Sequence, residues 1–403
     1  MSRIPAHSAG SIGLPLVILL AALTALDVMA IDMYLPSMPA LAIDFGVEAG
    51  RIQQTFSVFL VGLAVGQGLY GPLLDRFGRR LPLLAGVCIF ILGSWLAALA
   101  PSVEWLLGAR FLQALGAAAG LVAPRAIVAD LCNLSESSRI FSLLMQVMMI
   151  APIVAPLLGS YLLDHGGWRL IFWVLCGVGL ICLIWSARSI PDSLPPENRL
   201  PLQAMSILRA YTRQARSPAF MLNTLIGGII LGSFFAYISA SAFVFTRHFS
   251  LSPEQFSYLF AANSLALVVG GYLSNRLLKA GMQIQRVMLL GVVLHTLGGA
   301  LLALVVIRHA PSLALYASLL ALGIGALGLV FGNVTALTMN AAGQQVGVAS
   351  ALMGVLHYLL AAIIGYLVSL SAEGPLQLPL VMALCGLLAL ATCWLASSVT
   401  ERP

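Results

Sequence analysis

Three charged side chains lie well inside long apolar runs of the 403-residue sequence: Asp27, Asp32 and Arg110. A charge at mid-bilayer costs about 2.5–3.5 kcal/mol on insertion scales, so such groups face a bundle interior and usually mark function. Burial disfavours the ionised form of a carboxylic acid, which suits a buried carboxyl to load and release a proton near neutral pH. That is the chemistry of ion coupling. Asp27 stands about thirteen residues into the first apolar run, near its middle. Asp32 follows five residues later, roughly 7.5 Å further along a helix and rotated by about 140°. The two carboxyls therefore do not share one face. Each has a structural alternative. Asp32 can anchor the helix near Tyr34-Leu-Pro36 at the outer interface, and Asp27 can hydrogen-bond a neighbouring helix. Arg110 cannot deprotonate. It needs an acidic partner, for which a helix-1 aspartate is the obvious candidate, or backbone carbonyls; snorkelling to the interface is the third option.

A second group follows the second apolar run: Gly71-Pro-Leu-Leu-Asp75-Arg76-Phe-Gly78-Arg79-Arg80. Gly71 lets helices approach closely. Asp75 sits at a helix C-terminus, where the dipole disfavours an anion, so it needs a cation or donors nearby. Gly78 permits a tight turn, and Arg76, Arg79 and Arg80 form a basic cluster at headgroup level. A basic turn between two spans is common; the full pattern is rare. It reads as a cytoplasmic gate in which Asp75 belongs to a charge pair that holds one conformation and breaks in another. Further on, Ala151-Pro152-Ile-Val-Ala155-Pro156-Leu-Leu-Gly159 places prolines four apart among small residues. Such a segment kinks and allows close crossing, as a hinge or as a packing seam.

These residues must be held by spanning helices. The chain is 60% hydrophobic and 8% charged, against roughly 25% charged in soluble domains. A surface so poor in charge faces lipid. Twelve apolar runs of spanning length are predicted near 14–35, 52–74, 81–100, 103–126, 139–163, 168–189, 218–245, 253–275, 287–307, 312–334, 346–370 and 376–398. The first is read as a retained helix rather than a signal peptide, because it carries Asp27 and Asp32. A proline- and arginine-rich break at 190–217 divides the chain into bundles 1–189 and 218–403. With the N-terminus in the cytoplasm, 15 arginines and lysines fall on the inner side and only Arg51, Arg169, Arg247 and Arg308 on the outer side. Both termini are therefore expected in the cytoplasm. A faint repeat supports two halves: Gly71-x-x-x-Asp75-Arg76 after helix 2 and Gly271-x-x-x-Asn275-Arg276 after helix 8. The net charge of +6 is spread over short loops and forms no nucleic-acid patch. Six cysteines show neither metal spacing nor a disulfide framework.

Taken together, Ile31-Asp32-Met33-Tyr34-Leu35-Pro36, the Asp75 loop, Arg110-Phe-Leu-Gln113 and the Ala151–Gly159 stretch resemble the major facilitator superfamily. More narrowly they are similar to its Bcr/CflA (bicyclomycin/chloramphenicol resistance) drug:proton antiporters. The resemblance covers nearly the whole chain. It implies an all-α integral membrane protein of the major facilitator fold, with twelve transmembrane helices in two six-helix halves. It also implies that the acid at Asp32 and the arginine at Arg110 serve proton coupling and substrate recognition. Two departures stand out. Ala155 replaces the glycine that usually precedes the second proline of the antiporter motif, and Thr24 occupies the place of a second acid found in some relatives, with Asp27 the nearest carboxyl.

The expected proton-coupling set is Asp32, Asp27 and Arg110. The expected substrate cavity comprises Tyr34, Gln113, Phe141, Met145, Gln146, Met149, Tyr237, Asn263, Asn333, His357 and Tyr358, where methionine and aromatic groups tolerate varied shapes. Gly71, Asp75, Arg76, Gly78, Arg79 and Arg80 form the expected gate; Pro152, Pro156 and Gly159 form the expected hinge. His295 reads as a packing residue. The expectation is a monomeric exporter in a bacterial inner membrane, driven by a proton gradient, with no cofactor, no metal and no nucleic-acid partner. A dedicated exporter of one metabolite is the nearest alternative. An embedded enzyme would need clustered ligands or nucleophiles, and the sequence has no H-x-x-x-H, C-x-x-C, G-x-S-x-G or P-loop. The two-half pattern argues against a channel or receptor.

Overall fold

A computed structural model of the protein describes residues 13–132, 134–195, 199, 204–342, 346–371 and 374–400. Among these residues there is no strand. The first half holds α1 (Leu14–Asp32), a 3₁₀ turn Leu35–Ser37, α2 (Met38–Asp44), α3 (Ala49–Phe77), α4 (Arg80–Ala98), α5 (Val103–Leu131) and α6 (Leu134–Ser189). A helix α7 (Ala204–Ala215) follows. The second half holds α8 (Pro218–Phe243), a π turn Val244–His248, α9 (Pro253–Lys279), α10 (Ile284–Arg308), α11 (Leu313–Ala326), a 3₁₀ turn Leu327–Leu329, α12 (Phe331–Asn340), α13 (Val346–Ser369) and α14 (Gln377–Thr400).

Among the described residues eleven stretches are long and apolar enough to cross a membrane. One is far too long for a single crossing: the 56 residues of α6 would rise about 84 Å, against a hydrocarbon core of about 30 Å. The chain breaks it at Gly166 (φ −154°, ψ 15°) and Gly167 (φ 70°, ψ 179°). Gly167 takes a left-handed conformation that a side chain disfavours. Splitting α6 there gives twelve spans. Two more spans are interrupted rather than straight. Helix 1 stops at Asp32 and turns through Leu35–Ser37 into α2, with Pro36 and Pro39 breaking the ladder. The span Leu313–Asn340 is stepped by the turn at Leu327–Leu329.

Four sequence boundaries shift with consequences. Helix α3 starts at Ala49 and ends at Phe77, so Asp75 lies inside its last turn. Helix α5 runs to Leu131 rather than 126, which brings Asp130 into the helix and leaves Arg125 well short of its end. Helix α6 begins at Leu134 rather than 139. The polar break 190–217 contains α7.

Within the first half, α5 packs on α3 and α4 through small residues. A side chain at Gly116 would run into the Phe90 backbone, and one at Gly62 would meet the Phe111 carbonyl at 2.6 Å. Such spacing brings helix backbones together where no hydrophobic effect drives association. The halves meet along α3 and α13. Gly50 lies against the Ser369 carbonyl, Gly365 beside Ser57, and Gly354 against the Gln67 side chain. A second seam joins α6 and α9, where Ser257 Oγ donates to Pro156 O at 3.0 Å. Phe56 and Phe235 also touch across the halves, with ring centroids 5.8 Å apart.

Candidate functional site

Helix α1 carries both acids into the protein interior: Asp27 is 2% exposed and Asp32 3%. The rotation of about 140° between them sends each to a different neighbourhood. Asp27 lies within electrostatic reach of Arg125 on α5 and Tyr358 on α13. Its Oδ1 has no hydrogen-bond partner among the described residues. Asp32 is within reach of Asp27 and of Tyr237 on α8. Each carboxyl of the first half is therefore within electrostatic reach of a phenol of the second. Asn263 Nδ2 donates to Tyr237 Oη at 2.9 Å, which leaves the phenol's own proton to give elsewhere. Tyr237 is held flat against Phe260, with ring planes 4° apart and centroids 5.8 Å apart.

Arg110 is fully buried, with no exposed surface, and it does not snorkel. It also does not pair with an aspartate. Among the described residues none of the ion pairs includes it. Its Nη1 donates to Ala30 O at 3.0 Å and to Gln113 Oε1 at 2.6 Å. Its guanidinium lies 4.1 Å from the Phe59 ring centroid and 4.6 Å from that of Tyr34. The reason is positional: Arg110 on α5 meets the α1 backbone at Ala30, between the two acids, and aromatic faces take up the charge. Its Nε and Nη2 have no hydrogen-bond partner among the described residues. A buried guanidinium with free donors is poised for an anionic or carbonyl-bearing group.

The expected cavity residues divide. Tyr34 and Gln113 are fully buried and committed to structure. Tyr34 Oη shares a hydrogen bond with Thr55 Oγ1 at 2.7 Å. Gln113 orients Arg110 and donates to Ser94 Oγ at 2.9 Å. Asn333 is likewise spent inside its own half, on Ser274 Oγ and Leu329 O. His357 is half-buried, with its Nε2 enclosed where α13 faces Gly227 and Gly228 of α8. Phe141 is half-buried, whereas Met145, Gln146 and Met149 are exposed. The four-residue spacing of Phe141, Met145 and Met149 sets them along one stripe of α6. Tyr358, on α13, touches Phe235 with ring centroids 5.9 Å apart. His295 packs between Ser233 Oγ and Gly323 O.

The Asp75 loop forms a network centred on Arg79. Arg79 Nη1 donates to Asp75 Oδ1 at 2.7 Å, and Nε donates to Asp130 Oδ2 at 2.7 Å. Burial works against its charge, but the hydrogen bonds to Asp130 and Asp75 more than offset this, so its pKa lies above the ordinary guanidinium value. The backbone N–H of Arg79 donates to Asp192 Oδ1 at 2.9 Å. Asp192 in turn accepts from Arg199 Nη2 at 2.6 Å. Ser193 Oγ donates to Asp130 Oδ2 at 2.9 Å, and Arg80 Nη2 donates to Ala187 O. Gly78 takes φ 84°, and a Cβ there would collide with the Asp192 carboxylate. Arg76 is exposed. Asp75 thus pairs with Arg79, four residues on, and the network ties the ends of α3 and α5 and the start of α4 to the start of the linker. Gly71 is not a close-approach point in this conformation, since nothing lies within 4 Å of a Cβ built there. That role falls to Gly62 and Gly66, which press on α5.

Gly159 sits directly under the Met33 carbonyl, and Pro156 O accepts from Ser257. The proline segment is therefore a packing seam against both α1 and the second half, with Pro152 only half-buried. Sequence reasoning missed Arg125, Asp130, Asp192 and Gln53. Ending helix 4 near 126 hides Asp130 and leaves Arg125 as an inner-side charge in its last turn. Asp192 lay in a break read as linker, although its Pro191-Asp192 pair marks a defined turn. Gln53, buried with both amide atoms unpaired, carries no distinguishing local signal.

Residues 20–366 match the Major Facilitator Superfamily. The chain is 37% identical over 361 residues to an uncharacterized MFS-type transporter, YdgK, of Bacillus subtilis (strain 168), covering 89% of each. It is 28% identical over 354 residues to a bicyclomycin resistance protein homolog of Haemophilus influenzae, covering 88% of each. Its fold is similar to that of a solved bacterial homologue of the human lysosomal transporter Spinster, with TM-score 0.71 at 15% identity over 95% of this chain and 96% of that one.

Proposed function

The chain belongs to the major facilitator superfamily, and from that premise we propose that it is a proton-coupled antiporter of a bacterial inner membrane. It would export small amphipathic drugs, of chloramphenicol- or bicyclomycin-like chemistry, by alternating access. The chain is a multi-pass membrane transporter and not an enzyme. The likeness to a bicyclomycin resistance protein homolog supports the cargo class. The observation that carries the coupling is the placement of Asp27 and Asp32, both buried on α1 and each within electrostatic reach of a tyrosine of the opposite half.

In this reading the linker side faces the cytoplasm, as the distribution of arginines directs. The halves are joined near the Asp32 end of α1 by Gly50 with Ser369 and by Ser257 with Pro156. The stripe of Met145 and Met149 is exposed nearer the linker side. This arrangement suits a state open to the cytoplasm. An ionised Asp32 would attract the Tyr237 hydroxyl across the halves and hold the outer end closed; a proton arriving from outside would neutralise Asp32 and weaken that hold. Cargo and proton then compete through Arg110, whose two free donors take a polar group of the cargo. Proton loading and cargo release thus bias one two-state equilibrium.

Purified protein in sealed vesicles under an imposed proton gradient tests this. Addition of chloramphenicol- or bicyclomycin-like compounds should drive proton movement that depends on the compound. Silence across drugs and metabolites alike would sink the antiport reading, whereas a sharp response to one metabolite alone would replace drugs with a dedicated cargo.

A further inference from the structure

The linker helix α7 has a pattern that transport does not require. Its arginines Arg209, Arg213 and the adjoining Arg216 fall at spacings of four and three, on one stripe at about 100° per residue. All three are exposed. The helix contains no Asp or Glu. None of the ion pairs among the described residues uses these arginines. Beside that stripe lie Met205 and Leu208, 60% and 56% exposed. The opposite side is committed to the protein: Gln214 is buried and Tyr211 half-buried, where α7 meets α13. Around the helix the order is therefore basic, exposed apolar, packed.

A water-facing helix gains nothing from an apolar strip between a cationic face and a packed one. A helix lying in a membrane interface gains from both: its apolar edge enters the acyl boundary, and its arginines meet headgroups. The linker is also held at this level. Asp192 ties its start to the Gly78–Arg79 turn, and Ser217, just past α7, caps α8 by accepting from Phe220 N. We propose that α7 is an interfacial anchor that docks on anionic phospholipid, with Met205 and Leu208 inserted and Arg209, Arg213 and Arg216 on the lipid phosphates. This goes beyond the transport reading and rests only on the flanking helices crossing a membrane.

Hydrogen exchange of the full chain in nanodiscs tests it without a transport assay. Amides of 204–216 should exchange at least tenfold more slowly in discs containing phosphatidylglycerol than in discs of phosphatidylcholine alone. Salt near 1 M, where the screening length falls to about 3 Å, should erase most of the difference. The variant Arg209→Gln/Arg213→Gln/Arg216→Gln should abolish it, while α8 keeps its protection as the control for folding. Equal exchange in both lipids would leave the basic face to a protein or soluble partner and overturn the proposal. So would full protection retained by the triple variant.

Discussion

The two halves share a fold but not a chemistry. Every charged residue buried in the described interior belongs to the first half: Asp27, Asp32, Arg79 and Arg110. The buried polar groups of the second half are neutral, among them Asn263, Asn333, Thr338 and His295. Its approach to the acids is aromatic, through Tyr237, Phe235 and Tyr358. A charge deep in a membrane protein costs several times what a neutral amide costs, so concentrating charge in one half concentrates both strain and control there. In the proposed mechanism the second half would read the charge state of the first through phenols, which carry a proton without carrying a net charge.

The sharpest way to break this comparison is to neutralise an acid. Asp32→Asn preserves shape and should abolish substrate-driven proton flux in vesicles, a loss of at least 100-fold, while the protein still purifies as a monodisperse species. Wild-type flux in that variant would move the coupling site to Asp27. Next in size is Arg110→Lys. Lysine keeps the charge but cannot lie flat between Phe59 and Tyr34 while bonding both Ala30 O and Gln113. Transport should fall about tenfold, with a lowered melting temperature. An unchanged rate would mean that only the charge of Arg110 matters, not its planar geometry.

Much of this was legible before any coordinates. Twelve spans, the two-half division and the isolation of Asp27, Asp32 and Arg110 follow from hydropathy, because lipid forbids uncompensated charge and thereby makes each exception conspicuous. The five-residue separation on α1 was enough to send the two carboxyls to different faces. Helix ends were not legible. Asp130 looks like a loop charge when α5 is ended at 126, and Pro124 invites that early end, yet the helix continues because neighbours re-satisfy the backbone that proline frees. The partner of Arg110 was not legible either. Pattern pairs an arginine with an acid, whereas here two aromatic faces and a carbonyl at Ala30 take the charge, and only three-dimensional packing decides that. The same holds for Asp192, which lies 114 residues after Gly78 and yet fills the space where its side chain would be.

The loops that end α3 and α9 allow finer tests of the same asymmetry. Both contain a glycine at positive φ: Gly78 at 84° and Gly281 at 87°. A Cβ at Gly78 strikes the Asp192 carboxylate, whereas one at Gly281 meets nothing within 4 Å. Alanine at Gly281 should thus cost only the backbone term, about 1–2 kcal/mol. Gly78→Ala should cost more: at φ 84°, ψ 175° Gly78 stands where glycine alone is at ease, about 1–3 kcal/mol, with a further 1 kcal/mol or so from displacing Asp192 from its hydrogen bond with the Arg79 N–H. Thermal melts of the two variants side by side check the difference; equal shifts would show that the Asp192 latch contributes nothing.

The smallest effect comes from restoring an acid to the second loop. Asn275 stands four residues before Lys279, as Asp75 stands before Arg79. What differs is the surroundings. Asp75 shares an arginine that is buried and also bound to Asp130, whereas Asn275 and Lys279 are both exposed, and Arg276 is occupied with Tyr272 Oη at 2.8 Å. An exposed pair at this spacing is worth about 0.3–0.5 kcal/mol and fades with salt. Asn275→Asp should therefore raise stability by no more than that, and the gain should vanish at high ionic strength. A gain above 1 kcal/mol would mean that the second loop holds a latent network like that of Arg79, and that the asymmetry lies in one side chain rather than in the packing around it.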